Sequence, residues 1–372
     1  YTASLNNPVT GTPLVVTLSG GTTITIPVGQ STASSAAVPV RADDAYVQGT
    51  QAVVASITGT TGGNFEALTT TSTVSTNVVD DADATTVTLT ASAASVTEGG
   101  SIVYTATLNN PVTGTPLVVT LSGGTTITIP VGQSTASSAA VPVRADDAYV
   151  QGTQAVVASI TGTTGGNFEA LTTTSTVSTS VTDDADATTV TLTASAASVT
   201  EGGSIVYTAT LNNPVTGTPL VMTLSGGTTI TIPVGQSTAS SAAVPVRADD
   251  AYVQGTQAVV ASITGTTGGN FEALTTTSTV STNVVDDADA TTVTLTASAA
   301  SVTEGGSIVY TATLNNPVTG TPLVVTLSGG TTITIPVGQS TASSAAVPVR
   351  ADDAYVQGTQ AVVASITGTT GG

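Results

Sequence analysis

Residues 84–108 read ATTVTLTASAASVTEGGSIVYTATL. Between Thr86 and Ser92, the residues Val87, Leu89 and Ala91 alternate with threonine. Between Ile102 and Leu108, the residues Ile102, Tyr104, Ala106 and Leu108 alternate with Val and Thr. A period of two places alternate side chains on one face, the mark of a half-buried strand. Val and Thr are stiff at χ1 and suit a pleated surface better than a helix.

Working outward, the same alternation returns at Leu117–Leu121, then at Ile127, Ile129 and Val131 after a Gly123-Gly124 turn. It returns again over Ala139–Ala145 (Ala139, Val141, Val143), at Val156, Ala158 and Ile160, and at Val177, Thr179 and Val181. No stretch has helical periodicity. Seven short strands in about one hundred residues predict an all-β, seven-stranded antiparallel sandwich of immunoglobulin type.

The stretch recurs. Tyr1, Tyr104, Tyr207 and Tyr310 open the same string at a spacing of 103 residues, so the 372-residue chain is three periods plus 63 residues. Four columns vary: Ser4 against threonine, Met222 against valine, Ser180 against asparagine and Thr182 against valine. Met222 falls on an inward position, where a core tolerates the change. Ser180 and Thr182 fall between inward residues and are expected to face solvent. A 103-residue period is a whole domain rather than a solenoid unit. The expected organisation is an elongated tandem array: residues 1–83 without a first strand, complete repeats over 84–186 and 187–289, and 290–372 without a last strand. The abrupt opening at Tyr1 suggests a segment of something longer. Near-identity suits a spacer or a multivalent binder better than an enzyme.

Composition narrows the chemistry. There is no Cys, His or Lys, and 4 Arg stand against 23 acids for a net charge of −19. Disulfides, thiolate or imidazole chemistry, Schiff bases and Lys–Asn crosslinks are excluded. A basic surface for nucleic acid or anionic lipid is excluded as well, and no apolar run reaches the length of a membrane helix. Carboxylates, hydroxyls, amides and backbone remain, a set that suits hard cations such as Ca2+.

The acids gather in turns. In the second repeat Glu98 ends the first strand, Asp146 and Asp147 follow the fifth, and Asp183, Asp184 and Asp186 follow the last. Strand direction alternates in a sandwich, so these six should converge at one pole, at the junction with the next repeat. Clustered carboxylates repel unless neutralised, and Ca2+, with 6–8 oxygen ligands, is the expected counter-ion. The equivalents are Asp43, Asp44, Asp80, Asp81 and Asp83; Glu201, Asp249, Asp250, Asp286, Asp287 and Asp289; and Glu304, Asp352 and Asp353. Glu169, at the opposite pole, is expected to be a solvated loop residue or to face the preceding linker. Arg144 is expected to pair with a nearby carboxylate.

Val-Thr-Glu-Gly-Gly-Ser-Ile-Val-Tyr, Ile-Pro-Val-Gly-Gln, Asp-Asp-Ala-Tyr-Val-Gln-Gly and a final Asp-Asp-Ala-Asp, in that order, resemble a Calx-β-type immunoglobulin-like domain. In tandem they most resemble the extender repeats of giant Lap-type (RTX) biofilm adhesins of Gram-negative bacteria. The resemblance implies Ca2+ ligation by Glu98, Asp146, Asp147, Asp183, Asp184 and their copies. It also implies an extracellular, non-enzymatic spacer that holds an adhesive tip away from the cell. Gln151 stands where the family has a glutamate, and Gly123-Gly124 where an aspartate often ligates, which implies fewer or weaker ions. The implied partners are neighbouring repeats of the same chain. Two rival readings are a filament completed by strand exchange between copies, and repeats that bind glycans or surfaces multivalently.

Overall fold

The computed structural model describes residues 1–372 and contains strands but no helix. It divides into two compact units, Tyr1–Asp184 and Ala185–Gly372.

In the first unit, the second copy of the repeat is an immunoglobulin-like sandwich. One sheet runs in the order Thr135–Ser137, Tyr104–Leu108, Ala84–Ala91, Ala170–Thr172. The other runs Thr126–Ile129, Leu117–Leu121, Gln154–Thr164, Thr176–Thr182, Ser95–Thr97. Pairing is antiparallel except at two edges, where Ala170–Thr172 lies parallel to the start of Ala84–Ala91 and Ser95–Thr97 lies parallel to the end of Thr176–Thr182. The chain therefore switches sheets across Ser92–Ala94, and a small-residue run permits the crossing. In the second unit, residues 187–285 repeat this order and register.

The alternation in sequence becomes alternation in burial. Val87, Leu89, Tyr104, Ala106 and Leu108 from one sheet meet Leu117, Val119, Leu121, Ile127, Ile129 and Ala158 from the other in one core. Met222 is fully buried in the equivalent core of the second unit. Thr85 is buried too, and its hydroxyl accepts a hydrogen bond from Asn110 Nδ2 at 2.9 Å. Ser180 and Thr182 are half-buried rather than solvent-facing, because the parallel Ser95–Thr97 strand lies beside them.

The sheet edges depart from the expected strands. Of the segment expected over Ala139–Ala145 only the two-residue Val141–Pro142 is strand, the strand Thr135–Ser137 precedes it, and Ala139 is exposed. Pro142 has no N–H to donate, which confines this segment to an edge and a short bridge with Ser101–Ile102. The sixth strand is longer than its apolar residues suggest. It spans Gln154–Thr164 and carries a bulge where its partner passes from Thr120 to Leu121. Ala170–Thr172 has too little alternation to be read from sequence.

Candidate metal centre

Three turns of the second copy meet at one end of the sandwich. Glu98 follows Ser95–Thr97, and its N–H bonds Thr182 O at 3.0 Å. Gly99, at φ +69°, donates to Arg144 O at 2.9 Å. A Cβ on Gly99 would lie 2.8 Å from Asp146 Cβ, so only glycine lets the Asp146 turn come this close.

Arg144 lies at the centre. Its Nε donates to Glu98 Oε2 at 2.9 Å, its Nη1 to Gly152 O at 2.8 Å, and its Nη2 to Asp183 Oδ1. Asp183 Oδ2 also accepts from the N–H groups of Gln151 and Gly152, at 3.0 and 2.8 Å. Asp147 Oδ1 accepts from Tyr149 N at 2.8 Å, an Asx turn, and its Oδ2 accepts from Gln151 Nε2. Both oxygens of Asp147 and both of Asp183 are thus engaged within the repeat.

Asp146 and Asp184 bring carboxylate oxygens within 4.8 Å of each other. Asp184 also offers an oxygen within 4.8 Å of one from Glu98. The Glu98 side chain is fully buried, and its Oε1 has no hydrogen-bond partner. A buried carboxylate oxygen without a donor is costly.

The first and third copies show the same division. In the first copy Asp80 binds Arg41 and the N–H groups of Gln48 and Gly49, while Asp44 accepts from Tyr46 N at 2.9 Å and from Gln48 Nε2. Asp43, Asp81 and Asp83 converge within 4.8 Å. Asp81, then Asp83, push the Asp43 carboxyl above its ordinary value of 3.8. In the second unit Asp286 binds Arg247, and Asp250 accepts from Tyr252 N and Gln254 Nε2. Glu201, Asp249 and Asp287 converge within 4.8 Å. Asp289 is raised above 3.8, chiefly by Asp287 and then Asp249. In the fourth copy Glu304 binds Arg350 at 3.2 Å and Asp353 accepts from Tyr355 N at 2.8 Å. Asp352 lies beside Gly305, and no third acid joins it and Glu304.

In the first three copies the acids of a pole divide: Asp147- and Asp183-type residues have both oxygens held by Arg, Gln and backbone groups, while Asp146- and Asp184-type residues gather in a cluster, joined in the second and third copies by Glu98 and Glu201, each of which also binds the Arg through one oxygen. Sequence reasoning took all of them as one set. Asp147, two residues ahead of Tyr149, carried a local Asx-turn signal that could have separated it. The reach of Gln151 had no such signal. Glu169 is not a solvated loop residue: its Oε2 accepts from Asp83 N at 3.0 Å and so faces the preceding linker. Asp186 N makes the same bond to Glu272 in the second unit, at 2.9 Å.

The cluster fits a hard cation. Its donors are all carboxylate oxygens, it concentrates negative charge, and at Glu98 it includes a buried oxygen with no donor of its own. Ca2+ takes such ligands at ~2.3–2.6 Å and tolerates irregular geometry.

A family model described as the LapA domain matches four times, over residues 1–82, 83–184, 186–288 and 289–372. No curated protein matches the chain. Among solved structures, one described as a tetra-tandem repeat in the extending region of a large adhesion protein is similar at 19% identity, covering 94% of this chain and 86% of that one, with a TM-score of 0.27. A tandem from titin is similar at 9% identity over 70% of this chain and 90% of that one, TM-score 0.19. Escherichia coli alpha-2-macroglobulin activated by porcine elastase is similar at 10% identity over 94% of this chain and 41% of that one, TM-score 0.20.

Proposed function

The chain belongs to the LapA domain family, and from that premise we propose that it is a structural, non-enzymatic extender segment of a large bacterial adhesin. It acts outside the cell, spacing an adhesive part from the surface in attachment and biofilm formation. The observation that carries this reading is four tandem family matches over copies that differ in only four columns. Repetition without diversification multiplies length, not chemistry. No helix of the chain is long and apolar enough to cross a membrane.

We further propose that Ca2+ stiffens and stabilises these repeats. The ligands are Asp43, Asp81 and Asp83 in the first copy; Glu98, Asp146 and Asp184 in the second; and Glu201, Asp249 and Asp287, with Asp289 beside them, in the third. Asp147, Asp183 and their counterparts hold the loops that present these oxygens. When bound, the ion supplies positive charge and inner-sphere coordination. The protein's own part is to orient the carboxylates and to bring the Glu98 oxygen out of water. An ion bound only by the folded chain adds about 2.7 kcal/mol at a hundredfold excess over Kd.

The test is calorimetric titration with CaCl2 together with thermal melting in Ca2+ and in EGTA. Heat of binding and a higher melting temperature in Ca2+ are expected, with Glu98→Gln reducing the number of ions bound. No heat and identical melting curves would remove Ca2+ from the mechanism and leave the spacer reading standing.

A further inference from the structure

We infer that the Asp-Ala-Tyr-Val loop of the first repeat is a docking hook for the second, as that of the third is for the fourth, and that it holds their junction without a metal ion. In the first unit this loop, Asp44–Val47, lies against residues 111 and 167–169. Tyr46 and Phe168 form an antiparallel β-bridge, and their rings sit 5.7 Å apart at 33°. The Tyr46 hydroxyl donates to Pro111 O at 2.8 Å. Val47 N donates to Asn167 O at 3.1 Å, and Asn167 Nδ2 returns a bond to Val47 O at 3.0 Å. Glu169 N donates to Ala45 O at 3.1 Å while its carboxylate takes Asp83 N. In the second unit Tyr252 repeats the reach, its hydroxyl 3.1 Å from Pro317 O.

Each half is held in shape by contacts of its own. The hook is set by the Tyr46 N bond to Asp44 and by Gln48, which binds Asp44 and Asp80. In the socket, Gly166 has φ +71°, and a Cβ there would lie 2.9 Å from the Phe168 ring, so glycine lets the ring fold back. Preorganised surfaces lose less entropy on docking. Aromatic pairs contribute beyond their area, and the neutral hydrogen bonds add to this. Nearly all the contacts are between neutral groups, so salt and chelators should leave them in place.

Tyr46 and Tyr252, whose hydroxyls each reach a proline carbonyl, are both half-buried. The acid cluster Asp43, Asp81, Asp83 lies in the same part of the first unit and repels itself without a cation. The junction therefore has two fastenings in parallel. The metal fastening rests on the reading above, and the hook does not.

The chain has no cysteine, so spin labels at Ala37→Cys and Ala140→Cys, both exposed, report one distance between the first and second copies. The full chain is measured in Ca2+ and in EGTA, with Tyr46 native, Tyr46→Phe and Tyr46→Ala. The hook predicts a narrow distance peak for the native chain in both buffers. It also predicts loss of that peak for Tyr46→Ala in EGTA, with Tyr46→Phe between. If the native chain loses its peak in EGTA, metal alone holds the junction and the inference falls. The inference also falls if Tyr46→Ala keeps its peak in EGTA. If Tyr46→Ala is equally broad in both buffers while the native chain stays narrow, the hook stands and the metal fastening fails. Should Tyr46→Ala lower the melting temperature, Tyr46→Phe, which removes only the bond to Pro111, decides.

Discussion

The first and second copies are nearly the same sequence in two environments. In the second, Thr179 and Val181 are buried and Val177 is half-buried. In the first, the equivalent Val74 is 49% exposed and Thr76 is open to solvent. The difference is what lies beside them. The second copy has Ala84–Ala91 in one sheet and Ser95–Thr97 in the other, and Thr179 bonds Ala93 O at 3.1 Å. The first has a groove of about 180 Å3 lined by Tyr1, Leu5, Leu14, Val16, Ala55 and Val74. The same difference reaches the acids. Arg144 is held between two carboxylates, Glu98 and Asp183, whereas Arg41 pairs with one, Asp80. One split strand thus closes the core and delivers the buried carboxylate, which ties packing to charge.

The most damaging change should be to open the second copy as the first is open. Val87→Ala with Leu89→Ala removes two fully packed side chains and should cost about 4 kcal/mol. Urea unfolding of the chain should then show an early phase carrying one repeat's share of the signal, and a single unshifted transition would mean that this strand is not needed to close the core. The converse is to fill the first copy. A peptide with the sequence of residues 84–99, at about a hundredfold excess over its Kd, should delay that copy's unfolding by about 2.7 kcal/mol. A scrambled peptide should do nothing, and equal effects from both would show that the groove does not select this strand.

The smallest effect is electrostatic. Asp43 and Asp289 hold their protons more tightly in the folded chain than unfolded, because neighbouring aspartates repel the charged form. Their contribution to stability therefore falls as pH rises through the raised pKa and returns as pH falls. Melting temperatures in EGTA should rise modestly as pH is lowered from neutrality toward the ordinary carboxylate range. Saturating Ca2+ should flatten that slope, and a slope of the same size in both buffers would separate the titration from the metal.

Much of the sandwich was legible in the sequence, because period-two alternation and burial are the same physical fact. Leu117–Leu121 is buried at Leu117, Val119 and Leu121, as its spelling demands. The edges were less legible: around Pro142, strand length depends on which backbone groups find a partner. The acid pole was legible as a place, since turn positions and strand direction bring Glu98, Asp146 and Asp183 to one end. The division of labour within it was not legible. It turns on which oxygens Arg144 and Gln151 reach, and those contacts join residues up to 46 positions apart.

By itself the sequence determined an all-β tandem array with period 103, without Cys, His or Lys, its negative charge gathered in turns. Composition and periodicity are local properties, and no later contact can alter them. Tertiary structure alone decided that two acids of a pole are held through both oxygens by Arg, Gln and backbone groups while others are drawn into one cluster. It also decided that Glu98 is buried with one oxygen unpaired, and that Tyr46 meets Phe168 across 122 positions of chain. Those outcomes depend on the positions of donors, rings and charges that only folding brings within a few ångströms of each other.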